Sequence, residues 1–190
     1  MSRAYRIQVK ESERREIRAS DEIGTRLELL DILPPQATAE LLRGELKSRG
    51  FTEQEDGTLS RTTGETTVTV DPCNGDVTVR TENLKDVVIE SQKDGHAIDD
   101  IKGSAQAVEK RLRDRARDDI DKQFEAESAK AQNTATEQLE KSLTDLQPEL
   151  NSIVNKITRE ALKAKAAQMG RIQEIAEDSE TGSMTIKIEV

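Results

Sequence analysis

The chain has few residues whose types could do chemistry. It carries one cysteine, Cys73, and one histidine, His96, among 190 residues. A nucleophilic thiolate needs a base or a cationic pocket, and no histidine lies near Cys73 in the sequence. One histidine is too few for a histidine-built metal cluster, and it leaves no spare base for a Ser-His-Asp triad. Gly95-His96-Ala97 reads as a solvated loop. The acid pairs Asp99-Asp100 and Asp118-Asp119 are of the type that holds a cation or shares acid–base work. Charged positions on an exposed helix explain them more simply. The ten glycines are scattered at turns and form no Walker or dinucleotide pattern. The expectation is therefore no catalytic residue, no cofactor and no metal.

The run Lys110-Arg111-Leu112-Arg113-Asp114-Arg115-Ala116-Arg117 offers cations to phosphate or to an acidic partner. Yet Asp118, Asp119 and Asp121 follow at once, and Glu109–Arg113 and Asp118–Lys122 stand at the i,i+4 spacing of helix ion pairs. A solvated helix face is the better reading. Net charge is −9, and the aromatics that could stack on bases number three: Tyr5, Phe51 and Phe124. Nucleic acid is disfavoured on both counts. No apolar run approaches the ~18 residues of a membrane span, and the first residues lack a secretory apolar stretch. With a solitary cysteine, the expected compartment is the cytoplasm.

The elements that must position these residues have little apolar material. Leu, Ile, Val and Phe supply 41 of the 190 residues. That is about a fifth, close to the level where highly charged chains stop folding. The fold must be small or elongated. Tyr5, Ile7 and Val9 alternate with polar residues as in a half-buried strand. Glu16-Ile17-Arg18 is a candidate partner, and Thr25 to Ile32 a third strand with helix as competitor. Pro34-Pro35 introduces a helix of about 15 residues carrying Leu41, Leu42 and Leu46, which Gly50 ends. Asn74-Gly75 predicts a hairpin between Thr67–Val70 and Val77–Val79, and Val87-Val88-Ile89 adds a strand. At the far end Met184, Ile186, Ile188 and Val190 alternate strictly, and such a strand needs a sheet to join.

Between lies a helical stretch over roughly 100–175, rich in Ala, Glu, Lys and Arg. Ser104 or Asp100 can cap its start. Leu139, Leu143, Leu146, Leu150, Ile153 and Ile157 follow spacings of four and three, the seam of a coiled coil. Val108, Leu112, Ala116, Ile120 and Phe124 continue an apolar stripe. The reading is a helical hairpin, turning either near 131–136, where Thr134-Ala135-Thr136-Glu137 offers a capping box, or at Pro148. Nearly equal arms favour the first.

The chain ends also carry a family resemblance. Its residues are Leu46-Lys47-Ser48-Arg49-Gly50-Phe51, then Val68-Thr69-Val70-Asp71-Pro72 with Gly75 and Val77-Thr78-Val79. The tail Met169-Gly170-Arg171-Ile172-Gln173-Glu174-Ile175 and Gly182-Ser183-Met184-Thr185-Ile186-Lys187-Ile188-Glu189-Val190 completes them. This arrangement resembles small bacterial and plastid proteins of the DUF1257-like group. It is especially similar to the accessory "X" components of FtsH–von Willebrand A–MoxR ternary systems. Plastid-type members tend to end in an aromatic, where this chain has Val190, and their helical arm is shorter. The resemblance implies a non-catalytic partner of AAA+ ATPases in an NTP-dependent, defence-type bacterial system, with no catalytic residue to carry over.

The expected fold is α+β: a small antiparallel sheet with one packed helix, plus a long helical hairpin, a coiled-coil-like arm, inserted before a C-terminal strand. Residues 1–99 form the sheet domain, 100–175 the arm, and 176–190 the strand returning to the sheet. The expected function is a non-catalytic adaptor whose partners are proteins, an AAA+ ATPase or a von Willebrand A-type protein. Leu139, Leu143, Leu146, Leu150, Ile153 and Ile157 are the candidate partner-binding residues. The alternative is a self-assembling coiled-coil structural protein, a homo-oligomer through the same seam.

Overall fold

The alternation that begins at Tyr5 continues long after the apolar residues thin out. The computed structural model describes residues 4–98, 103–177 and 183–189. In it, β1 runs unbroken over Ala4–Arg26, 23 residues, where the sequence predicts separate short strands. β5, Asp76–Ile98, is equally long and absorbs the strands expected at 77–79 and 87–89. Charged residues carry the pattern where apolar ones are missing, because a strand with one solvated face needs apolar side chains only at alternate positions.

Between these strands come α1 (Pro35–Ser48), β2 (Thr52–Glu53), β3 (Leu59–Thr63) and β4 (Thr66–Val70). Five of the strands form one sheet in the order β1-β5-β4-β3-β2, and the β2–β3, β3–β4 and β4–β5 pairs are antiparallel. The Asn74-Gly75 hairpin is present as expected, pairing Val70 with Val77 and Val68 with Val79. Gly75 adopts φ 78°, a left-handed backbone that favours glycine, and its N–H donates to the Asp71 carbonyl at 2.8 Å. Pro34 and Pro35 start α1 without a side-chain cap, consistent with Pro at the first helical position.

α2 is one continuous helix, Ser104–Met169, of 66 residues. This corrects the expected helical hairpin. The threonines of the supposed capping box face back into the helix instead: Thr134 Oγ1 donates to the Lys130 carbonyl (2.9 Å) and Thr136 Oγ1 to the Gln132 carbonyl (3.2 Å). Both hydroxyls thus take the in-helix alternative to capping. Pro148 lies inside the helix on its exposed side and does not end it.

A second correction concerns the C-terminal strand. β7 (Met184–Glu189) does not return to the five-stranded sheet; it pairs antiparallel with β6 (Arg171–Glu177) in a separate two-stranded sheet. Ile172 faces Ile188 and Ile175 faces Ile186 across it, with a register shift between Ile172 and Glu174. Residues 171–175, read as helix end from sequence, are the local partner that the last strand finds first. Gly170 makes the approach possible: a Cβ there would lie 2.3 Å from the Glu189 carbonyl oxygen.

The chain divides into two compact units, 1–20 with 82–136, and 21–81 with 137–190. In the first, the β1–β5 ribbon lays one face on the N-terminal part of α2. Its core is small: Ile17, Ile89, Ile120 and Phe124, with Val87 and Ala131 against them. Ion pairs supplement it, among them Arg15–Asp121 (2.6 Å), Arg113–Glu11 (3.0 Å) and Lys93–Asp119 (3.0 Å). The Arg15 guanidinium also sits 4.5 Å from the centre of the Phe124 ring. The second unit holds the larger core, in which Leu42 and Leu46 of α1, Phe51, and the valines of β4 and β5 meet the C-terminal part of α2.

Candidate functional site

The proposed partner seam lies in that larger core. Leu139, Leu146, Leu150, Ile153 and Ile157 are all buried, and Leu143 is partly buried against the same cluster. Sequence periodicity identified the right face of the helix, but the sheet of the same chain covers it. A coiled coil with another helix through this seam would first have to strip off β4, β5 and α1.

The polar groups singled out by sequence are dispersed. Cys73 is exposed in the turn before Gly75, with an Arg43 guanidinium nitrogen 3.8 Å from its sulfur. His96 is exposed near the end of β5. Asp118 and Asp119 do not act as a pair. Asp118 is exposed, whereas Asp119 accepts from Lys93 (3.0 Å) and Ser91 (2.8 Å), which hold its carboxyl below the usual range. Asp99-Asp100 lie outside the described residues. Within the basic run, Leu112 and Ala116 are buried and Arg113 bridges Glu11 and Glu109, while Lys110, Arg111, Arg115 and Arg117 are exposed. Among the described residues, no three His, Cys, Asp or Glu side chains group as metal ligands. None of their helices is long and apolar enough to cross a membrane.

The feature that reasoning from sequence missed is on the other face of the ribbon. Arg6–Asp94 (2.9 Å), Lys10–Glu90 (2.6 Å), Arg14–Asp86 and Arg18–Glu82 (3.4 Å) form four rungs of one ladder. In each rung the cation stands on β1 and the acid on β5. The signal was present as two columns repeating every fourth residue, one of each sign, but a period of four suggests helix until the strands are known to pair. Between the rungs stand Gln8 and Gln92, Ser12 and Val88, and Glu16 and Leu84. Val88 is 60% exposed and Leu84 54%. β4 pairs only with residues 77–81 of β5, so residues 82–98 have no second strand neighbour among the described residues. The face is long and charge-ordered, with Val88 and Leu84 exposed near its middle.

No curated protein and no solved structure matches the chain. A family model described as FtsH ternary system domain X5 matches residues 1–190, and the chain therefore belongs to that family.

Proposed function

We propose that this protein is a non-catalytic accessory component that works by protein–protein contact within an FtsH ternary system. Its partner is an AAA+ ATPase or a von Willebrand A-type protein. The observation that carries this reading is the family match over residues 1–190. The geometry supports it. Asp119, Glu149 and Glu45, carboxylates with lowered pKa values, are each engaged by cations that tie a helix to its sheet or to a second helix. Perturbed groups of this kind belong to structural ion-pair networks as readily as to active sites.

The test is co-purification of the tagged full chain from native lysate, with identification of what it retains. Recovery of an AAA+ ATPase or a von Willebrand A-type protein is the expected result. Recovery of neither across a range of salt concentrations would overturn the proposal.

A further inference from the structure

The ribbon in the first unit is covered on one face only. Ile17, Ile89 and the rest of the small core lie under α2, and the ladder face is bare. Its side chains are arranged in two columns of opposite sign. The β1 column carries Arg6, Lys10, Arg14 and Arg18, interrupted by the one acid Glu16, and the β5 column carries Glu82, Asp86, Glu90 and Asp94. Such a face is complementary to itself under one symmetry operation. A dyad along the mean strand direction lays the β1 column of one copy over the β5 column of the other. Each cation then meets an acid of the partner as well as its own. A dyad across the strands would set cation on cation, so charge selects the first arrangement.

The middle of the face has the corresponding shape. Val88 and Leu84, the apolar side chains exposed between the rungs, lie near the centre of the ribbon, and Ser12 stands beside Val88. Under the first dyad Val88 of each copy lies over the small Ser12 of the other. Leu84 lies over the aliphatic stem of Glu16. An apolar centre ringed by ion pairs is the usual anatomy of a protein interface. We propose that this bare face is the interface with a second copy of the chain.

The size of the face sets the expected strength. A two-stranded ribbon face about 50 Å long and about 10 Å wide hides on the order of 1,000 Å² in total when two meet. That is near the lower limit for a specific interface and below that of obligate dimers. The dimer should therefore be reversible and sensitive to salt, since its rim is ionic and exposed. This inference does not rest on the ATPase-partner reading, and either can fail without the other.

The test uses the full chain in sedimentation equilibrium and native mass spectrometry. At low salt the wild type should dimerise at about 100 µM, weakening about tenfold or more as salt is raised past the screening range. Val88→Asp should weaken it by a similar factor. The decisive variant is the fourfold exchange Lys10→Glu, Arg14→Glu, Asp86→Lys and Glu90→Lys, which keeps two intrachain rungs with their polarity reversed. It should fold and dimerise with itself, yet form fewer mixed dimers with wild type than random pairing gives. Circular dichroism confirms that each variant retains its fold. A wild type that stays monomeric at low salt overturns the proposal, as does a dimer whose copies mix at random with the exchanged variant.

Discussion

Lys156 of α2 contacts the buried carboxylate of Glu45 on α1, which also accepts from Arg49 Nε at 2.6 Å. Glu45 is 6% exposed, and among the described residues it is the one acid buried in the second unit. Burial pushes its carboxyl up, but Lys156 and Arg49 outweigh burial and hold it below its ordinary value of 4.5. Two helices of that unit are thus tied through one charge that the interior would otherwise reject.

The pH dependence follows in sign. A carboxyl whose folded pKa is depressed contributes stability that is complete above its unfolded value and is lost as pH falls through the folded one. Thermal stability should therefore hold at neutral pH and fall once the pH drops below about 4.5, with Glu149 and Asp119 adding to the same acid limb. Glu45→Gln should lower the melting temperature at pH 7 and make the acid limb shallower. An acid limb of unchanged steepness, followed by circular dichroism, would show that Glu45 is not linked to folding.

Arg61 on β3 donates two hydrogen bonds to Glu149 on α2 (2.9 and 2.7 Å) and a third to the Arg49 carbonyl (3.0 Å). Its guanidinium also lies 4.5 Å from the centre of the Phe51 ring. Lysine keeps the charge but not the planar fork or the stacking, so Arg61→Lys should cost about 1–2 kcal/mol in urea unfolding. A loss below about 0.3 kcal/mol would mean that charge alone matters at this position.

The leucine seam gives the clearest contrast between readings. Leu150→Lys puts an unpaired ammonium into the core and should cost about 3 kcal/mol or more, detected as loss of the cooperative transition. Leu143→Lys, at the partly buried position, should cost distinctly less. If Leu150→Lys left stability intact and changed only the mass in solution, the seam would be an intermolecular contact after all.

Pro148 has no N–H to offer the Thr144 carbonyl one turn earlier, and its side is exposed. Pro148→Ala should restore that bond and raise stability by about 1–3 kcal/mol. A decrease on this substitution would indicate that the chain needs a break at 148.

How much was legible in the sequence differs by element. The Asn74-Gly75 hairpin was readable because a turn chemistry and two valine pairs are local and agree. The apolar face of α2 was readable from its spacing, and the resemblance carried by the end residues pointed to FtsH ternary systems, the family whose model matches the chain. Periodicity could not say what that face packs on. The same Leu139–Ile157 stripe suits a second helix or a sheet, and only the shared core with Val68 and Val70 of β4 and with Leu46 of α1 shows that elements of both kinds cover it.

The candidate surface was hidden for a related reason. Arg6, Lys10, Arg14 and Arg18 gain meaning only opposite Asp94, Glu90, Asp86 and Glu82, which are 64 to 88 positions away in the chain. The two threonines at 134 and 136 could cap a helix or bond back into one, and the packing of Ala135 against the interior decides for the continuous helix. The last strand likewise had two available partners, and β6, a few residues upstream, was reached at the smaller loop-closure cost. Composition and local pattern thus determined the kinds of element and their apolar faces. Which face met which was decided by long-range pairing, because burial and charge complementarity are properties of two segments together.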